Sequence, residues 1–451
     1  MNLSRLLEAR AEAGNPVRVG MIGAGKFGTM FLAQARRTRG LHVIGIADLD
    51  VAKARANCRR TGWSAEQVGA TGLDHAVKTG TTRIDDDAPG LIAHPALDVL
   101  IEATGDPKAG IRHCLAAIEN GKHVVMVNVE ADVLAGPLLA RRAEEAGVVY
   151  SLAWGDQPAL IAEHVDWARA CGFRVVCAGK GTRYHPDFHR STPDTVWDIF
   201  HVGREKAERG GMNPKMFNSF IDGTKSGIEM TAVCNATGLT PQTGGLTFPP
   251  CSRYDLAEVL KPASAGGSTE HVGTTEVVSS LHRDMSPVSD DLMMGTYVVI
   301  EGESEYVRNC FEEYLMLPDS TFHYAALYRP THLIGLELGI SVASAALRGE
   351  PTGSPTGFRS DVVACAKRPL RKGDMLDGEG GYMVWGRQTP ATDSLELGGL
   401  PIGLASGVPL TRDIAEGELL RWSDVTLQDA DDAVRIRHEM EAAFGRPNEP
   451  T

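Results

Sequence analysis

The chain reads as an α/β protein: a doubly wound parallel sheet, then an α+β domain, then a small β-rich C-terminal domain. Three observations point there. VRVGMIGAGKFG (Val17–Gly28) sets a short apolar strand against a glycine turn and a helix running to about Arg37. Apolar segments with polar ends recur at His42–Ala47, Leu97–Pro107, Gly121–Glu130 and Val148–Ala153, separated by helical stretches such as Val51–Thr61 and Gly136–Gly147. Strands alternating with helices imply a parallel sheet. Beyond the linker-like GEPTGSPTG (Gly349–Gly357), Arg359–Leu427 is punctuated by glycine and holds two similar phrases, VVACAKRPLRKGDMLDGEGG and GVPLTRDIAEGELLRWSDV. Each reads as strand, charged turn, glycine, strand, which is an internal echo within one small β domain.

The first turn has the spacing G-x-G-x-x-G. Gly23 permits the tight turn, Gly25 leaves room for a pyrophosphate, Lys26 and Phe27 open the helix, and Gly28 lets it pack on the strand. The anion would sit on the free N–H groups of the helix start. The second strand ends at Asp48, where a carboxylate binds adenine-ribose hydroxyls and repels a 2′-phosphate, favouring NAD. Lys53 and Arg55 lie close enough in sequence to admit NADP. The plain alternative is a glycine turn with an aspartate closing a strand. Ligands of such sheets bind at the carboxyl ends of the strands, where Glu102, Thr104, Gly105, Asn128 and Glu130 fall. A threonine or asparagine there can equally cap the next helix.

With 451 residues, 43% hydrophobic and 23% charged, the chain can bury large cores in roughly three domains. The expected boundaries are 1–165, 166–330, a returning helix and linker over 331–358, 359–430, and a tail over 431–451. A net charge of −13 argues against nucleic acid or an anionic membrane as partner. The eight cysteines form no CxxC pair and no metal spacing, as in a protein of a reducing cytoplasm. Met1–Asn15 carries leucines at helical spacing among acids, which reads as a docking helix rather than a signal peptide. No apolar run approaches the ~18 residues of a membrane span.

The middle domain carries the candidate chemistry. In FRVVCAGKGTRYHP (Phe173–Pro186), Lys180 stands between glycines, as if presented from an irregular strand end, where it could bind an anion or polarise a carbonyl. A solvated surface lysine is the alternative. Arg183 and His185 nearby suggest an anion pocket. Asn213–Gly238 reads as one long helix, with Asn213 as its cap, Pro214 in its first turn and Gly238 closing it. Asp222, Lys225 and Glu229 share one face, adjoining the apolar stripe; a wet-face ion pair is the alternative. Two carboxylates could hold a divalent ion, but no metal site is indicated. His323, Arg329 and His332 are weaker candidates, of which Arg329, in an extended segment before Pro330, could reach a phosphate or carboxylate. Strands are expected at Thr274–Ser280 and Gly295–Glu301, a helix at Thr331–Leu347, and a fraying helical tail from Asp432 into GRPNEPT.

Over Val17 to about Leu347, GAGKFG, IEATGDP, GKHVVMVNVE and the helix around Asp222–Lys225 resemble the homoserine dehydrogenase architecture, a Rossmann domain with a substrate domain. Two departures stand out. A lysine follows the fifth-strand asparagine in that family, whereas Val129 follows Asn128 here. Asp222 and Lys225 are three apart rather than four. Arg359–Leu427 resembles a SAF domain. With VNVEADVLAGPLL, DQPALI, GKGTRYHP, MNPKMFNSFIDGTKS, RPTHLIGLELG and LPIGLASG, nearly the whole chain resembles the bacterial deoxyxylulose-phosphate reductoisomerase-like (DRL) proteins.

That resemblance implies an NADPH-dependent rearrangement and reduction of 1-deoxy-D-xylulose 5-phosphate to 2-C-methyl-D-erythritol 4-phosphate, in isoprenoid precursor synthesis. Some relatives resemble NAD-dependent oxidoisomerases of branched sugar acids such as apionate. In the expected mechanism, Lys180 or Lys225 polarises a keto oxygen. Asp222 or Glu229 takes the neighbouring hydroxyl proton, and Arg183, His185, His323 or Arg329 grips the charged end. The rival readings are a homoserine-dehydrogenase-like oxidoreductase without rearrangement, and a non-catalytic sensor of dinucleotide and sugar acid. A cytoplasmic homodimer acting on a sugar phosphate or sugar acid is expected.

Overall fold

The computed structural model describes residues 2–200, 202–209, 212–427 and 431–445. The chain divides into two compact units. One comprises residues 1–160 and 333–356, the other residues 161–332 and 357–451.

The first unit is built on six parallel strands: β1 (Val17–Ile22), β2 (Leu41–Ala47), β3 (Arg83–Asp85), β4 (Val99–Glu102), β5 (His123–Met126) and β6 (Tyr150–Leu152). Their order, β3-β2-β1-β4-β5-β6, reverses between β1 and β4. That is the doubly wound Rossmann arrangement, with its ligand crevice at the reversal. Val19, Met21, Val99, Ile101 and Val125 are fully buried in the core. The helix Leu3–Glu12 joins this core through Leu3 and Leu7, and the helix Gly339–Arg348 returns to it through Val342 and Ala343. The returning helix starts eight residues later than Thr331, the expected start. The helix expected from Gly136 begins at Val129, where Asn128 caps it, and Pro137 is carried inside it.

The second unit holds a mixed sheet of order β10-β9-β7-β8, from β7 (Arg174–Thr182), β8 (Thr274–Ser279), β9 (Thr296–Glu301) and β10 (Tyr324–Arg329). One face packs on the helices Gln157–Ala170 and Thr224–Thr237, through Val165, Met230 and Val233 against Ala178, Val277 and Val298. The other face is covered by Cys251, Leu256 and Leu260.

The expected single helix is two helices, Pro214–Ile221 and Thr224–Thr237. The break falls at Gly223, whose φ of 92° is open to glycine and strained for other residues. Asn213 does cap the first helix, and Gly238, in the left-handed region, closes the second.

Within Arg359–Leu427, β11 (Ser360–Ala366) pairs antiparallel with β13 (Val384–Pro390), and β12 (Met375–Asp377) with β14 (Ser406–Pro409). The two echoing phrases meet, since Leu370 bridges Ile414 and Gly373 N–H donates to Leu410 O. The tail helix Asp432–Phe444 is docked rather than frayed. Its Arg437 is fully buried and paired with Asp361. The expectation for GRPNEPT beyond residue 445 lies outside the described residues.

Candidate functional site

At the crevice of the first unit, the glycine turn leaves a cradle. A Cβ at Gly25 would meet no protein atom within 4 Å, whereas one at Gly23 would fall 2.5 Å from Ala103 O and one at Gly28 would fall 2.6 Å from Gly23 O. Gly23 and Gly28 are therefore needed by packing, and Gly25 by whatever approaches from outside. The helix Lys26–Ala35 has no side-chain cap, so its first N–H groups face that opening. Lys26 is exposed and Phe27 half-buried beside it. The residues present fit a dinucleotide pyrophosphate.

Asp48 is fixed where the ribose is expected. Its Oδ2 accepts Ala24 N–H at 2.7 Å and its Oδ1 accepts Asp50 N–H at 2.8 Å. Asn128 serves chiefly as a brace. It accepts Ala131 N–H at 3.1 Å and donates to Asp106 O at 2.8 Å and to Thr104 Oγ1 at 3.3 Å. Thr104 in turn donates to buried Glu102 at 2.7 Å. Gly105 is exposed and Glu130 half-buried beside them. These residues shape the crevice floor and tie the β4 and β5 loops together.

In the second unit, Lys180 lies in a regular strand rather than at an irregular end, paired with β8 and β9 alike. Its flanking glycines serve the reverse side of the strand, since a Cβ at Gly179 would fall 1.8 Å from Glu276 O and one at Gly181 2.0 Å from Leu292 O. Lys180 donates to Glu229 in a buried ion pair; their side chains are 4% and 3% exposed. Thr296 stands opposite Lys180 in the register, and Arg329 opposite Thr296, so the three share one face of the sheet. His164, which the sequence reading missed, reaches the same face from the helix Gln157–Ala170, its Nε2 3.1 Å from Thr296 Oγ1. Burial, and then the charge of Arg329, lower its pKa to about 4, so His164 is neutral at physiological pH. The site therefore gathers a cation–carboxylate pair, a hydroxyl, a neutral imidazole and a guanidinium.

Other expected residues lie elsewhere. His323 is paired with Glu301 at 2.8 Å, just before β10 and about 20 Å along the strand direction from Arg329. His185 is taken up locally, with Nδ1 3.3 Å from Asp187 N and Nε2 3.1 Å from Arg283 O. Arg183 is half-buried on the same loop, and His332 is buried against Met294 O at 2.8 Å. Asp222 does not share the Glu229 cluster. It is fully buried, its Oδ1 accepts Thr224 N–H at 2.9 Å, and its Oδ2 lies 2.7 Å from Lys367 Nζ. The break at Gly223 turns it off the face it would hold on a continuous helix. Lys225, in the first turn beyond the break, is half-buried. Among the described residues, no group of three His, Cys, Asp or Glu side chains is placed to hold a metal ion, and no helix is long and apolar enough to cross a membrane.

Two family models match the chain. Residues 19–152 match the NAD binding domain of homoserine dehydrogenase, and residues 155–338 match the catalytic domain of oxidoreductase DRL. These matches support an NAD(P)-binding oxidoreductase of the DRL and homoserine-dehydrogenase-like kind.

A homoserine dehydrogenase of Pseudomonas aeruginosa is 32% identical over 114 residues, 24% of this chain and 26% of that protein. A 1-deoxy-D-xylulose 5-phosphate reductoisomerase of Pseudomonas syringae pv. tomato is 36% identical over 84 residues, 19% of this chain and 20% of that protein. The chain thus spans about a quarter and a fifth of the lengths of these curated relatives. Among solved structures, a homoserine dehydrogenase from Thiobacillus denitrificans is 15% identical, covering 80% of this chain and 84% of that one with a TM-score of 0.44.

Proposed function

We propose that the protein is an NAD(P)-dependent reductoisomerase that converts 1-deoxy-D-xylulose 5-phosphate to 2-C-methyl-D-erythritol 4-phosphate. The observation that carries this reading is the buried Lys180–Glu229 pair, set on one sheet face with Thr296, Arg329 and His164.

An ammonium has three donors and a carboxylate about four acceptor sites, so each partner can also engage a substrate. Lys180 polarises the keto oxygen, and Glu229 takes the proton of the adjoining hydroxyl. The carbon–carbon bond beside that hydroxyl breaks and a new one forms, giving a branched aldehyde. Lys180 gives a proton to the former keto oxygen as it becomes the tertiary alcohol, and is reprotonated from solvent. Glu229 returns its proton to the oxygen of the aldehyde as that is reduced to the primary alcohol. The reduced dinucleotide, NAD(P)H, would supply the hydride when bound and leave as NAD(P)+, and Gly23, Gly25, Gly28 and Asp48 are the residues that would hold it. Arg329 grips the phosphate, and neutral His164 adds no charge beside it. Lys225, in the first turn of the helix that carries Glu229, is the second candidate cation.

Asp48 favours a second reading, an NAD-dependent oxidoisomerase or dehydrogenase of a branched sugar acid such as apionate. Its carboxylate is pinned by two backbone N–H groups where a 2′-phosphate would meet its charge.

Absorbance at 340 nm separates the two. NADPH loss with deoxyxylulose phosphate, and methylerythritol phosphate as the product, would support the first. NADH formation from NAD and a sugar acid alone would replace it with the second. Silence with both substrates would remove both.

A further inference from the structure

One lysine of the C-terminal segment is buried against the turn between the helices Pro214–Ile221 and Thr224–Thr237. Lys367, just beyond β11, is almost wholly buried, and its ammonium reaches three oxygens. It donates to Ser191 O at 2.8 Å and to Gly381 O at 2.7 Å, and lies 2.7 Å from Asp222 Oδ2. Two of its protons go to the carbonyls, and the Asp222 carboxylate is held by charge, as a close buried ion pair.

Asp222 passes this fixation on. Its Oδ1 accepts Thr224 N–H, and its carbonyl accepts from His189 Nδ1 at 2.7 Å. His189 stacks on Trp385 of β13, ring centroids 3.9 Å apart, with Nε2 2.8 Å from the Tyr184 hydroxyl. Gly386 N–H donates to Thr224 Oγ1 at 2.9 Å, and a Cβ at Gly227 would fall 2.9 Å from Gly386 O. The turn Asp222–Gly223–Thr224 is thus clasped from the C-terminal segment on several sides. The helix that starts at this turn carries Lys225 and Glu229.

We propose that Lys367 is a positioning residue: through Asp222 it fixes the start of the helix Thr224–Thr237, making the C-terminal segment part of the catalytic unit. Asp222 then acts through the helix rather than on substrate. Only the turnover arm of the test rests on the reading of Glu229 as a reacting group.

The test compares Lys367→Met with the double variant Asp222→Asn/Lys367→Met in the full-length protein. The single change strands a buried carboxylate and should lower the melting temperature by several degrees. The double change removes that charge and should restore most of the loss. If Lys367 positions the turn, amide hydrogen exchange over residues 222–230 stays at least tenfold faster than wild type in the double variant. NAD(P)H affinity stays within twofold, and where wild-type turnover exists, kcat falls at least tenfold while KM for the dinucleotide holds. Recovery of both melting and exchange in the double variant would reduce the pair to a structural one and overturn the proposal. Absence of turnover in the wild type would sink the proposed function instead, and the exchange result would still decide for or against Lys367.

Discussion

A buried charge is tolerated where something answers it, and several buried charges of the second unit are answered by an opposite charge. Lys180 has Glu229, Lys367 has Asp222, and Lys261 has Asp319 at 3.1 Å. Asp132 in the first unit differs. It is fully buried, accepts one bond from the Tyr150 hydroxyl at 2.8 Å, and leaves Oδ2 without a hydrogen-bond partner. Burial pushes its pKa up to about 7, only partly offset by the tyrosine. The neighbouring Cys114 thiol is pushed up as well, by burial and by the charges of Glu102 and Asp132. Because the folded state holds this proton more tightly than the unfolded chain, the stability it contributes is full below about pH 4. It is lost as pH rises through about 7. Asp132→Asn should therefore melt several degrees above wild type at pH 8, with the gap closing toward pH 5. An unchanged pH slope in that variant would show that Asp132 is not the group responsible.

At the scale of the element, the glycine turn separates packing from binding. Gly23 has a φ of 90° and no room for a Cβ, while Gly25 has free space around it. Gly23→Ala should cost about 1–3 kcal/mol of stability, read from a denaturant midpoint. Gly25→Ala should leave that midpoint unchanged and weaken NAD(P)H binding at least tenfold, read by fluorescence titration. Equal binding by wild type and Gly25→Ala would mean that no pyrophosphate uses this cradle. The break at Gly223 belongs to the same scale. Helical periodicity runs straight through DGTKSG, and what stops the helix is left-handed Gly223, bridged by the bond from Thr224 N–H to Asp222 Oδ1.

For the molecule as a whole, the C-terminal helix Asp432–Phe444 is tied into the second unit by charge as much as by apolar packing. Arg437 donates to Asp361 Oδ1 at 3.1 Å and to Glu441 at 2.8 Å, and Ser394 donates to the other oxygen of Asp361 at 2.6 Å. Arg437→Met would leave Asp361 buried without its cation and should cost about 3–5 kcal/mol, measured as a lowered denaturant midpoint. A midpoint equal to wild type would make this helix an appendage.

The dinucleotide turn, the alternation of strands and helices and the cap at Asn213 were all legible in the sequence. Each depends on residues a few positions apart, where backbone sterics and periodicity act. Lys180, Glu229 and Arg329 could be named from their residue types, but not brought together. That grouping depends on the register of β7, β9 and β10 and on the helix laid across them, as does the arrival of His164. Asp222 shows the converse. Its sequence neighbours suggested a reacting carboxylate, and its tertiary partner is Lys367, a lysine far along the chain in the same unit. Local spacing selects elements and turns; which buried charges meet is decided by the packing of segments far apart in the chain, because desolvation forces each to find a partner wherever the fold supplies one.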